Sequence, residues 1–264
     1  MAQLNEVHGL RARVRRGDSL VGVFARLVQP EAAELLADAG LDFVILDVEH
    51  GTHSRTELSR YVFAAQALGL PVLVRLPEGS EAWIQHAVSV GAAGIVVPHV
   101  NALEQVGRAA AFARGLAMER AYAGMGRRSG YRKDSWRDFR RQASDGLLFV
   151  AQIDEPPGTL IADKVAALDD VDCLFLGSLG MALAMGQDAP SHPTVDAALA
   201  SICQSGRSAG KCIGVHVMQH DQQALWLDRG ATLMVVGSDY ALLRDGAATQ
   251  ATRFRRAKDT RDGD

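Results

Sequence analysis

Short apolar runs recur along the chain: LVGVFA (20–25), FVILD (43–47), PVLVRL (71–76), GIVVPHV (94–100), LLFVAQI (147–153), DCLFLG (172–177), IGVHV (213–217) and TLMVVG (232–237). They are rich in Val, Ile and Leu and seldom alternate with polar residues. Strands buried on both faces read this way, and they belong to parallel sheets covered by helices. Between them lie stretches of helical spacing, such as PEAAELLADAG (30–40), ELSRYVFAAQALG (57–69) and EAWIQHAVSVG (81–91), each closed by a glycine at the expected C-cap. Glu31, Glu34 and Glu57 fall in first turns, where the helix dipole favours acids. Eight strands alternating with helices over about 250 residues predict a (β/α)8 barrel in a single domain spanning 1–264, with an open doubly wound sheet as the alternative.

Three segments stand outside this rhythm. Residues 1–17 read as an N-terminal helix with the apolar face Leu4, Val7, Leu10 and Val14. Residues 114–145 contain no strand-like run and are rich in arginine, which predicts a long functional loop followed by a helix. Residues 253–264, RFRRAKDTRDGD, read as a charged, frayed tail.

Composition narrows the function classes. At 48% hydrophobic and 22% charged, with a net charge of -3, the 264-residue chain is ordinary for a globular protein and has no field that would draw nucleic acid or anionic lipid. No apolar stretch approaches the roughly 20 residues that span a bilayer. The start of the chain lacks the apolar core of a signal peptide. Cys173, Cys203 and Cys212 have no ligand-like spacing and read as reduced structural thiols, so a cytoplasmic location is expected.

In a barrel the active site lies where strands end. The second run ends in Asp47, Glu49 and His50, the third in Arg75, the fourth in His99, the fifth in Gln152, Asp154 and Glu155, the sixth in Gly177-Ser178-Leu179-Gly180, the seventh in His216 and the eighth in Asp239. Polar groups therefore converge on one rim. Asp47, three residues before His50, could orient the imidazole for proton transfer. Arg75 is either a clamp on a substrate oxyanion or one half of a structural ion pair with Asp47 or Asp154. Asp154 suits a hard cation, or it pairs with Arg75. The turn over residues 177–180 offers backbone N–H groups to a carboxylate. His99 and His216 are either core histidines or part of the pocket. Arg128, flanked by glycines, could grip an acidic substrate or be a solvated basic residue.

These stretches, together with VRLPEGS (74–80), VGAAGIVVPHVNALEQV (90–106), GRRSGY (126–131) and GATLMVVGSDYALL (230–243), resemble the HpcH/HpaI aldolases nearly end to end. The resemblance implies cleavage of a small 2-keto or 4-hydroxy-2-keto acid to pyruvate and an aldehyde by a barrel that is a trimer or hexamer. It implies a divalent metal (magnesium, manganese or cobalt), an arginine at Arg75 on the keto oxygen, a His50–Asp47 pair moving protons, and amides of the 177–180 turn on the carboxylate. Gln152, Ser178, Leu179, Gly180, Arg128 and Asp239 are the further candidate substrate contacts, and Asp154 the candidate metal ligand. The chain departs from the family at two positions. Asp154 replaces a glutamate, and Gly180 stands where a second metal-binding aspartate is expected. None of the four lysines ends a strand, which disfavours Schiff-base chemistry. The departures leave open a repurposed metal-independent enzyme or a keto-acid-binding protein without turnover.

Overall fold

The structure, a computed structural model, describes residues 9–132, 135–219 and 221–262. Eight parallel strands close into a barrel in sequence order: β1 (Leu20–Ala25), β2 (Phe43–Asp47), β3 (Val72–Arg75), β4 (Gly94–Val97), β5 (Leu148–Ile153), β6 (Cys173–Leu176), β7 (Cys212–His216) and β8 (Leu233–Ser238). All eight apolar runs became strands, and closure of β1 onto β8 excludes the open sheet. Each crossover carries at least one helix. Helix α1 (Leu10–Arg16) precedes β1, and the crossovers between β1 and β5 carry α2 (Pro30–Asp38), α3 (Arg55–Ala67), α4 (Glu81–Val90), α5 (Leu103–Arg114), α6 (Leu116–Ala123) and α7 (Trp136–Gly146). The remainder are α8 (Pro156–Thr159), α9 (Ala162–Ala166), α10 (Ser178–Ala184), α11 (Pro193–Ser208), α12 (Gln222–Asp228) and α13 (Asp239–Asp262).

Local chemistry sets these boundaries. Ser54 and Glu57 form a reciprocal capping box at the start of α3. Gly40, Gly69 and Gly91, at the ends of α2, α3 and α4, take φ of 78°, 75° and 93°, a conformation that carries little cost only without a Cβ.

The core has two compartments. One lies between barrel and helices and takes residues such as Val44, Leu46, Val74 and Ile95. The other fills the lumen with Leu20, Phe24, Phe43, Ile45, Leu73, Leu148, Val150, Phe175, Leu233 and Val235, and Leu10 and Val14 of α1 plug its lower end. The period of two along each strand places the site. Phe43 and Ile45 point inward, so Asp47 does too, and in the same way Leu73 leads to Arg75 and Val150 to Gln152. Polar residues thus form the topmost layer of a lumen that is otherwise apolar.

Two of the irregular segments differ from expectation. The described residues from 114 to 146 are mostly helical cover: α6, a 3-10 turn at Arg127–Arg132, and α7. Tyr122 packs 5.1 Å from both Trp136 and Phe139, centroid to centroid, so the aromatics spend themselves on packing. The expected frayed tail continues as helix α13 through Asp262. Of the N-terminal face, Leu10 and Val14 are buried as expected, while Leu4 and Val7 lie outside the described residues.

Candidate active site

Asp47 is the hub of the rim. It is fully buried, in register with Arg75 on the neighbouring strand. Arg75 grips it with two bonds, Nε to Oδ1 at 3.0 Å and Nη2 to Oδ2 at 2.8 Å. Arg26, just past β1, adds Nε to Oδ2 at 2.9 Å, and the backbone N–H of His50 donates to Oδ1 at 3.2 Å. Burial pushes the carboxyl's pKa up, but the hydrogen bonds and charge of Arg75, with the His50 N–H and Arg26, outweigh it and hold Asp47 below its ordinary value. Of the two partners left open in the sequence, Arg75 pairs with Asp47, and it also meets Glu49, Nε to Oε2 at 3.1 Å.

Arg75 has donors left over. Nε and Nη2 are engaged, whereas Nη1 reaches Gln152 Oε1 only at 3.5 Å. The guanidinium stacks over Phe24, with Cζ 4.3 Å from the ring centroid. Nη1 is thus the least committed donor and the one free to meet an oxyanion.

His50 is half-exposed, and its Nδ1 lies 3.0 Å from Arg75 Nη2. A guanidinium only donates, so Nδ1 accepts and the neutral ring carries its proton on Nε2. Asp47 therefore does not hydrogen-bond the ring as expected from the i,i+3 spacing, because its oxygens are taken by arginines. To act as a base at Nε2, the ring must hold its proton on Nδ1. Glu49 Oε2 at 3.6 Å and Asp47 Oδ2 at 3.7 Å are the carboxylates within reach of it.

Across the rim, Gln152 Nε2 donates to Asp154 Oδ2 at 2.7 Å, which continues one chain of contacts from Asp47 through Arg75 to Asp154. Asp154 Oδ1 is buried and accepts no hydrogen bond, and the buried Glu49 Oε2 is held as an ion pair 3.1 Å from Arg75 Nε. His99 bridges these acids, with Nε2 2.7 Å from Glu49 Oε1 and Nδ1 3.4 Å from Asp154 Oδ1 and 3.0 Å from Glu155 Oε1. Burial disfavours its charged form, but Asp154, Glu49 and Glu155 outweigh that and raise its pKa above the ordinary value. Among the described residues, two groups bring ligand atoms within 4.8 Å of one another: Asp47, Glu49 and His50, and Glu49, His99 and Asp154. His216 sits in neither. Its ring meets Phe24 edge-on at 5.1 Å, and burial, then Arg75 and Arg26, push its pKa down to about 4. It is a neutral lumen residue whose Nε2 is buried without a partner.

Helix α10 begins at Ser178 against Asp154, and no side chain caps it. Ser178, Leu179 and Gly180 are its first residues, so their N–H groups are the orphans of a helix start. A Cβ built on Gly177 or Gly180 would stand 2.4 Å or 2.9 Å from the Cβ of Asp154. Two glycines therefore let the helix press onto Asp154. An aspartate at position 180 would need either the helix or Asp154 to move.

Two expected contacts do not join this rim. Arg128 is buried and donates to Ala92 O, just before β4, which places it at the opposite end of the barrel. Asp239 is buried with Oδ2 accepting the N–H groups of Arg26 and Leu27 at 2.8 and 2.7 Å. It holds the loop that carries Arg26 rather than facing a ligand. Arg26 itself follows β1 as directly as Asp47 and Arg75 close their strands, and that position was its sequence signal.

Residues 20–246 match the profile of the HpcH/HpaI aldolase/citrate lyase family. Similar proteins include a hydroxypyruvate/pyruvate aldolase of Pseudomonas aeruginosa, 30% identical over 94% of this chain and 93% of that protein. A 4-hydroxy-2-oxo-heptane-1,7-dioate aldolase of Klebsiella pneumoniae subsp. pneumoniae is 29% identical over 91% of each. Among solved structures, an HpcH/HpaI aldolase/citrate lyase family protein of Burkholderia cenocepacia superposes with a TM-score of 0.87 at 26% identity, covering 94% of this chain and 99% of that one.

The buried hub gives a direct prediction. Asp47→Asn keeps the shape but leaves two guanidiniums facing a neutral group, which should cost about 3–5 kcal/mol. Urea denaturation measures this, and a loss within error of zero would show that the arginines find other partners.

Proposed function

The chain belongs to the HpcH/HpaI aldolase/citrate lyase family and is a carbon–carbon lyase of the aldolase kind, and we propose that it cleaves a small 4-hydroxy-2-keto acid at the rim built on Asp47. The observation that carries this is the uncommitted Nη1 of Arg75 lying beside the Gln152–Asp154 pair. Breaking a C–C bond next to a carbonyl leaves an enolate, and its oxyanion needs fixed positive charge as it forms.

The steps assign a role to each residue. Arg75, held rigid by Asp47, donates through Nη1 to the keto oxygen. In the tautomer that holds its proton on Nδ1, toward Glu49 or Asp47 rather than Arg75, His50 takes the 4-hydroxyl proton at Nε2. The bond between the third and fourth carbons breaks, releasing an aldehyde, and its electron pair becomes the enolate. Water protonates the enolate at carbon to give pyruvate, and protonated His50 returns its proton to the hydroxide left behind. The N–H groups of Ser178, Leu179 and Gly180 suit the substrate carboxylate, with Gln152 fixing Asp154 beside it. The orphaned Oδ1 of Asp154, with the Glu49 carboxylate beside it, fits a divalent cation, which when bound would supply Lewis-acid polarisation of the keto oxygen. Arg128 and Asp239 have no part in this scheme as single-chain contacts.

Two attributes of the protein extend the proposal. A homo-oligomer, trimer or hexamer, fits α13, which leaves Tyr240, Leu242, Leu243 and Phe254 exposed; a solution mass of one chain would count against it. A cytoplasmic location is proposed from the free thiols Cys173, Cys203 and Cys212; no helix among the described residues is long and apolar enough to cross a membrane.

Exchange of the pyruvate methyl protons with deuterated water, followed by NMR, tests enolate formation apart from the aldehyde. Arg75→Ala should slow it by about 10²–10³-fold, and excess chelator should suppress it. His50→Ala should abolish aldol cleavage while leaving the fold intact. Exchange that ignores both the arginine and the chelator would refute this mechanism.

A further inference from the structure

His99 occupies a conformation that calls for an explanation. It follows Pro98 at the end of β4 with φ 53°, in the left-handed region. Non-glycine residues adopt it rarely, and it persists where the surroundings enforce it. The result is a ring laid between Glu49 from β2's end and Asp154 from β5's end.

The hydrogen bonds around the ring show what it is set to do. Asn101 Nδ2 donates to Glu155 Oε2 at 2.7 Å, which fixes that carboxylate. Its other oxygen stands 3.0 Å from His99 Nδ1, in position to accept the Nδ1 proton. Nε2 then faces Glu49 Oε1 at 2.7 Å. A bare imidazole nitrogen and a carboxylate oxygen repel at that distance, so a positive charge must neutralise them: a proton shared between them, or a metal ion bound beside both. A carboxylate that fixes one nitrogen while the other faces a ligand position is the usual outer partner of a metal-bound histidine. The adjoining Asp154 Oδ1 is buried and accepts no hydrogen bond, and the Asp154 side chain is only 5% exposed. It adds an unpartnered oxygen within 4.8 Å of the Glu49 and His99 ligand atoms, while Glu49 Oε2 pairs with Arg75 Nε at 3.1 Å.

We propose that Glu49, His99 and Asp154 form a mixed nitrogen–oxygen site for a divalent transition metal, in which Gly180 takes no part. This inference rests on the metal-assisted reading above and names the ligands and the class of ion. One imidazole beside two carboxylates binds zinc, cobalt or manganese in preference to magnesium, which favours oxygen alone.

The test uses the full-length chain, stripped with chelator and then dialysed. Calorimetric titration should show one site, with zinc or cobalt bound at least about 100-fold more tightly than magnesium. Pulsed electron paramagnetic resonance on the manganese-loaded protein should show hyperfine coupling to an imidazole nitrogen. That coupling should vanish in His99→Met and persist in His50→Gln, since His50 is the other imidazole nearby. His99→Met should also weaken zinc binding by about 10–100-fold and leave magnesium binding nearly unchanged. Manganese that binds in an Asp154-dependent way without nitrogen coupling in the unaltered protein would overturn the role of His99 and leave the aldolase reading standing. No binding of manganese, zinc or cobalt at millimolar concentration would overturn both this site and the metal-assisted route.

Discussion

A carboxylate with no exposure to water, Asp47, holds the upper layer of the barrel together. Two guanidiniums and a backbone N–H converge on it. Removing charge from water is costly, and the cost is recovered only if every charged group finds a partner with good geometry. Asp47 is thus what permits Arg75 to sit inside the lumen at all. Arg75 in turn meets Nδ1 of His50, and it leaves one pair of donors pointing where a keto oxygen could lie. The acid shapes the reaction by holding its neighbours, and its own oxygens are too occupied to act on substrate.

The opposite side of the rim follows a different constraint. Gly177 and Gly180 bring α10 against Asp154, whose short side chain fits that approach. Where the family resemblance leads one to expect a second acid on this helix, the chain has close packing instead. Cationic charge has to be balanced from other strands, and Glu49 and His99 are the groups that lie there. The departures at 154 and 180 are therefore linked by geometry: a longer or added side chain at either place would compete for the same space.

Much of this was legible in the sequence, for definable reasons. The barrel was readable because strands covered on both faces are continuous apolar runs, and each ended at the residue where polarity began. Membership of the rim followed from that alone for Asp47, Arg75, Gln152 and Asp154. Pairing was not readable: Arg75 could meet Asp47 or Asp154, and only the register of β2 against β3 decides it. The turn of His99 toward Glu49 depends on one backbone dihedral that no local motif announces. Arg128 and Asp239 show the converse limit. A basic residue among glycines and an acid after a strand look alike whether they face a ligand or hold a backbone, and the tertiary fold places the first below the barrel and the second under Arg26.

The account stands most directly on a crystal soaked with pyruvate and manganese. It predicts the keto oxygen within hydrogen-bond distance of Arg75 Nη1, and anomalous scattering from the metal beside Asp154. Pyruvate bound away from Arg75, with no metal peak at Asp154, would contradict it.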